Sequence, residues 1–226
     1  MTLASDATSR RDVLRFGGVT IAVGVLLAGC SSDDEPAAPD PDAQEEAAAE
    51  AAARAEAAQA DEDDLDVSLL NTALSLEVLI ADTYQAAFDF TLVETRPVTD
   101  AAALFQQHHR EHRDVLIAAV ESAGAEPFVT PNPVVKAALV DPSLVSVAEE
   151  RDFLTLARDL EQASAQLYVH ATTVLSTQSH RSTAMSLAGV AERRARILGL
   201  LGDLGYERLA VVPTDNPLPS DAVVPS

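Results

Sequence analysis

The chain has 226 residues, a formal net charge of -21, five histidines, one cysteine and no tryptophan. That length suits one domain with appendages, and a lone cysteine excludes an intramolecular disulfide framework. The acidic excess argues against nucleic acid, whose phosphates need clustered Lys and Arg, and it repels anionic lipid headgroups. An aromatic content of 4% with Ala-rich helical patterning favours an all-α bundle over a β-sandwich. The charge is uneven. Between Asp33 and Asp66 fourteen acidic residues face only Arg54, whereas from Val67 onward there are twenty acidic and eleven basic residues. The densest acidity therefore belongs to a tether.

Residues 1–29 read as an address. Ser9-Arg10-Arg11-Asp12-Val13-Leu14-Arg15 resembles the twin-arginine export motif, with Arg10 and Arg11 as its pair. The apolar stretch from Val19 to Ala28 is far shorter than the roughly 20 residues a bilayer span needs, and reads as a signal-peptide h-region. It ends in Leu27-Ala28-Gly29-Cys30, which resembles a bacterial lipobox. That resemblance implies cleavage before Cys30, lipidation of its thiol, and export to the outer face of the cytoplasmic membrane. Twin-arginine export carries folded cargo, which is compatible with a metal loaded in the cytoplasm.

Residues 30–65 read as an acidic tether. Ser31 to Ala43, rich in Ser, Asp, Pro and Ala, is expected to be disordered. Gln44 to Ala60 has strong helix propensity without an apolar stripe, as in a solvated spacer. Asp61 to Asp66 places acidic residues where a helix N-terminus favours them.

The expected bundle covers residues 66–205. A first core helix from Val67 to about Phe88 carries Leu70, Leu74, Glu77, Ala81, Tyr84 and Phe88 on one face. Glu77 is the anomaly, because a lone buried carboxylate is costly. A second helix from about Asp100 to Ser122, capped by Thr99 or Asp100, has Phe105, His108 or His109, His112 and Ala119 on its inner stripe, and Gly124 as its stop. The connection from Ala125 to Ser146 is long and Pro-rich, with a short helix expected over Pro133–Val140. A third core helix spans about Val147 to Leu175, with Glu161 on its broad apolar face. A fourth spans about Arg181 to Leu204 and ends at Gly205, with Met185, Ala188, Glu192 and Ala195 aligned and Leu187, Val190, Ile197, Leu198 and Leu201 broadening its buried side. Residues 206–226 form a Pro-rich extended tail that wraps the bundle or hangs free.

A buried carboxylate persists where a cation or proton compensates it. In carboxylate-bridged dimetal bundles, two helices each give one Glu and the other two each give Glu-x-x-His, whose spacing puts both ligands on one helix face. This chain has Glu77, then His109-Arg110-Glu111-His112, then Glu161, then Glu192-Arg193-Arg194-Ala195. The stretch from Asp66 to about Leu204 resembles the ferritin-like superfamily, and in particular the exported ferritin-like domain proteins of bacteria. Leu70-Asn71-Thr72-Ala73-Leu74-Ser75-Leu76-Glu77 resembles that family's first-helix segment ending in a ligand Glu. Gln107-His108-His109-Arg110-Glu111-His112 resembles its second-helix histidine segment. The resemblance implies an antiparallel four-helix bundle with a long crossover between helices 2 and 3. It further implies Glu77, His112, Glu161 and Glu192 as metal ligands, with His109 substituting for the usual Glu and Ala195 for the usual His.

Each of these side chains has a second reading. Glu77 could pair with an Arg or a buried His, and His109 and His112 could hydrogen-bond to Glu161 or Glu192. His108 reads as a flanking residue. Tyr84 and Tyr168 read as core aromatics bonded to the carboxylates. His170 and His180 read as surface or helix-end residues, and Glu111, Asp114 and Glu121 as a solvated face. Two functions follow. In the first the bundle holds iron or manganese, as one or two ions, on Glu oxygens and imidazole nitrogens; two irons with an open position would permit ferroxidase-type oxidation of Fe(II). In the second the site is dead, no metal binds, and the chain is a metal-free scaffold or interaction lipoprotein of the cell envelope. No nucleophile elbow, phosphate loop or Cys/His pair supports a hydrolase or transferase.

Overall fold

A computed structural model describes residues 41–204 and 218–226, which contain no strand. The export and lipidation residues Arg10, Arg11 and Cys30 lie outside them, as do Gly205 and most of the tail. The chain divides into two compact units, Met1–Ala49 and Glu50–Ser226. The described residues of the first, 41–49, are helical and exposed from Glu45 onward. The second unit holds the bundle.

Four long helices dominate: α1, Pro41–Asp89; α2, Arg96–Ser122; α3, Glu150–Val174; and α4, Gln178–Leu201. The acidic run Asp61–Asp66 does not begin a helix as expected; it lies inside α1, which starts at Pro41. The Ala/Glu run has enough intrinsic propensity to extend the core helix backward, and Pro is tolerated at a first helical position. Burial nevertheless starts only at Asp66, where the apolar stripe begins. The second helix also begins earlier than expected, at Arg96 with Thr95 as its N-cap residue, because Pro97 falls in the first turn, where its missing N–H costs nothing. Gly124 adopts φ 82° just past Ala123, the left-handed stop that glycine permits.

Side-chain pairings give the directions. Gln106 and His109 of α2 meet Ala81 and Glu77 of α1, and Glu161 and Tyr168 of α3 meet Tyr84 and Glu77 of α1. Later residues meet earlier ones, so α1 runs antiparallel to both. Glu150, at the start of α3, accepts hydrogen bonds from the Glu94 and Thr95 amides and the Thr95 hydroxyl at the start of α2. The two helices therefore run the same way, which requires the crossover. Burial opposes charge on the Glu150 carboxyl, but the Thr95 and Glu94 hydrogen bonds prevail and hold its pKa below the ordinary value. The third helix starts at Glu150, a few residues later than expected, with Glu149 and Asp152 forming a reciprocal capping box.

The crossover contains helical turns Pro133–Val135 and Asp141–Ser146 around a π-helical Lys136–Val140. The expected short helix thus continues through Asp141-Pro142. Asn132 pins this segment. Its side chain accepts from the Val135 amide (3.1 Å) and donates to the Ser75 hydroxyl (3.0 Å) and the Ala222 carbonyl (2.8 Å). The Val224 amide donates to Thr72, so the C-terminal residues lie against α1. Asn132→Ala removes a cap and strands buried partners on two other segments. It is expected to cost about 2–3 kcal/mol, read as a lower urea midpoint at unchanged m-value.

Candidate metal centre

The bundle interior is mostly apolar, and a cluster of charged and polar side chains lies within it. Glu77 from α1, His109 and His112 from α2, Glu161 and Tyr168 from α3 and Arg194 from α4 are all buried. Each sits on an apolar stripe, because the helical period that faces Leu and Ala inward faces these side chains inward too.

His109 is the hub. Its Nδ1 lies 2.5 Å from Glu77 Oε2 and its Nε2 lies 2.8 Å from Glu161 Oε1. The Tyr84 ring stacks on the imidazole at 5.7 Å between centroids. His112 Nδ1 is 3.4 Å from Glu77 Oε1, the oxygen to which Tyr168 donates at 2.5 Å. Glu161 accepts from Arg194 Nε at 2.9 Å on both oxygens, and Tyr84 donates to it at 3.4 Å.

The electrostatics follow from that packing. Burial opposes charge on Glu77, but the field of and hydrogen bonds from His109 and His112 prevail and hold its pKa well below the usual carboxylate range. Burial likewise opposes protonation of His109; the Glu161 and Glu77 carboxylates outweigh it and raise the imidazole pKa. Burial and the adjacent carboxylates raise both tyrosines, so Tyr84 and Tyr168 stay neutral donors. His108 lies off the hub; burial and Arg194 lower its pKa.

Glu77, His109 and His112 each offer one ligand atom, all within 4.8 Å of one another. Two imidazole nitrogens and a carboxylate oxygen suit a borderline divalent ion. Glu161 and Tyr168 bond to two of these ligands, as outer partners do when they fix a ligand's orientation. The residues present thus fit one metal ion.

They do not fit a pair. Glu192 does not join the cluster; its carboxylate is half-buried and pairs with Arg196 at 2.7 Å. Met185 and Ile197 are exposed rather than inward. The inward positions of α4 are Ala184, Leu187, Ala188, Ala191, Arg194, Ala195, Leu198 and Gly199; the expected Leu187, Ala188, Ala195 and Leu198 are among them, but Ala184 and Ala191, each one residue earlier, stand where Met185 and Glu192 were expected. At 3.6 residues per turn that single step swings a side chain by about 100°. Ala195 stays inward as expected, Glu192 gives way to Ala191, and Arg194 joins the inward face. Arg194 is the site residue that motif spacing misses. Leu187, Ala191, Arg194 and Leu198, spaced four, three and four apart, are the signal that could have found it. His180, expected at a surface or helix end, is in the first turn of α4, with Nδ1 3.6 Å from buried Asp66.

The family described as Ferritin-like domain matches residues 65–202, more than half of the chain. The chain belongs to the ferritin-like domain family. No curated protein matches it. The match begins one residue before burial starts on α1 and ends at the C-cap of α4, so the ferritin-like unit and the packed bundle coincide. Among the described residues no helix is long and apolar enough to cross a membrane.

Proposed function

We propose that this ferritin-like protein holds a single divalent ion, iron or manganese, on Glu77, His109 and His112, and does so outside the cell's cytoplasmic membrane. The export and anchoring half of the proposal rests on Arg10, Arg11 and Cys30 in their order along the sequence. The metal half rests on one observation, the convergence of three ligand atoms within 4.8 Å in the bundle core. When bound, the ion supplies Lewis acidity or redox change in a dry site. The residues set its surroundings: His109 directs Nε2 to Glu161, Tyr168 fixes one Glu77 oxygen, and Arg194 offsets the Glu161 charge.

A metal-free reading has its own support. Both nitrogens of His109 face carboxylate oxygens, and with a proton on each the ring is a cation already held between Glu77 and Glu161. The chain would then be a scaffold or interaction lipoprotein of the envelope.

Metal analysis of the full-length chain separates the two. The expected result is one iron or manganese per chain in the wild type, and at least a tenfold loss of affinity in Glu77→Ala and His112→Ala. A folded, metal-challenged wild type without bound ion would leave the scaffold reading. Anchoring is tested by Cys30→Ser, expected to release the protein from the membrane fraction.

A further inference from the structure

We infer that Arg194 is a built-in substitute for a second metal ion: its guanidinium supplies, at Glu161, the positive charge that a paired-metal bundle takes from a cation. The inference extends the single-metal reading to the other half of the site, but it rests on separate residues.

In a paired-metal bundle the second helical hairpin contributes one Glu from one helix and Glu-x-x-His from the other. Here α3 contributes Glu161, fully buried, and α4 presents Ala191 and Arg194 at the inward i, i+3 positions. Both oxygen-and-nitrogen donors of that helix are gone. In their place is a permanent cation 2.9 Å from both oxygens of Glu161. Arginine stays charged even when buried, and Glu161 and Glu77 raise its pKa further against the opposing effect of burial.

The way the guanidinium is used points to charge rather than hydrogen bonding. A buried arginine has five N–H groups, and structural arginines spread them over several acceptors. Arg194 gives only its Nε–H to Glu161, while Nη1 and Nη2 are buried without a hydrogen bond to any described residue. The charge count agrees. Glu77 and Glu161 carry two negative charges and Arg194 cancels one. The remaining unit lies at the Glu77 end, where one proton on His109 balances it and a divalent ion leaves one positive charge in excess. A second ion beside Arg194 would face its repulsion, with no ligand from α4 to join Glu161.

The test is a Mn(II) titration of the full-length chain, wild type, Arg194→Ala and Arg194→His, with helix content followed by circular dichroism with and without chelator. Arg194→His keeps a side chain beside Glu161 but replaces a permanent cation by a nitrogen donor. The expected result is one additional Mn(II) per chain in either variant over whatever the wild type binds. A variant that unfolds in chelator and refolds on Mn(II) gives the same answer. Folded variants with no additional ion, or variants unfolded with and without Mn(II), overturn the inference. Because the readout is the increment, a wild type that binds no ion would refute the single-metal reading and leave this one standing.

Discussion

In chelator, Arg194→Ala is expected to destabilise the bundle by about 3–5 kcal/mol, the usual cost of removing one partner from a buried ion pair. Most of that cost is the stranded partner. Glu161 would be left buried beside Glu77 with His109 as the sole cation between them. The double variant Arg194→Met/Glu161→Gln should therefore be markedly more stable than Arg194→Ala alone. The amide oxygen introduced by Glu161→Gln can still accept from His109 Nε2 and Tyr84, and Met fills much of the arginine's volume without charge. A denaturant-unfolding cycle through Arg194→Met, Glu161→Gln and the double measures the coupling. A loss below about 1 kcal/mol for Arg194→Ala, with no recovery in the double, would mean that the pair does not hold the core together. Additive losses would mean that Arg194 acts through its packing instead.

The sequence carried most of this site because most of its members break a pattern. Glu77 and Glu161 are acids on apolar stripes, and the two histidines sit one turn apart on a third. A carboxylate among Leu and Ala asks for a partner, whatever the fold. Arg194 breaks its pattern as sharply, yet it lies inside Glu192-Arg193-Arg194-Ala195, the segment matched to the ligand motif at its first and last positions. Motif spacing then favoured Glu192, because it places an acid near the expected interval from Glu161. Only packing separates neighbours a third of a turn apart, and here it turns Arg194 inward and leaves Arg193 exposed. The bundle and its crossover were legible from helical periodicity and from the long Pro-rich connection. The start of α1 was not, because an Ala/Glu run without an apolar stripe is equally consistent with a spacer. Nor was the role of Asn132, whose partners Ser75 and Ala222 are distant in the sequence.

Proton and metal compete for the same atom, and pH should expose it. In the metal-free protein His109 has a folded pKa above its ordinary 6.5, so its stabilising contribution is full below 6.5 and lost as pH rises through the folded value. Glu77 has a folded pKa below its ordinary 4.5, so its contribution is full above 4.5 and lost as pH falls. The chelated wild type should thus be most stable between those two ordinary values, 4.5 and 6.5. Above the window, stability should decline by at most about 1.4 kcal/mol per pH unit, the limit for one proton. Glu77→Gln keeps the shape but removes one of the two carboxylates that hold the His109 proton, so its alkaline decline should end at lower pH. Metal reverses the trend. An ion on Glu77, His109 and His112 needs His109 Nδ1 free of its proton, so the rise in Tm on adding Mn(II) should be small at about pH 5.5 and grow toward about pH 8. A rise that is equal at both pH values would place the ion elsewhere. No rise at either, with the window intact, would mean that the His109 proton and Arg194 together compensate these carboxylates, and that this bundle keeps its core without metal.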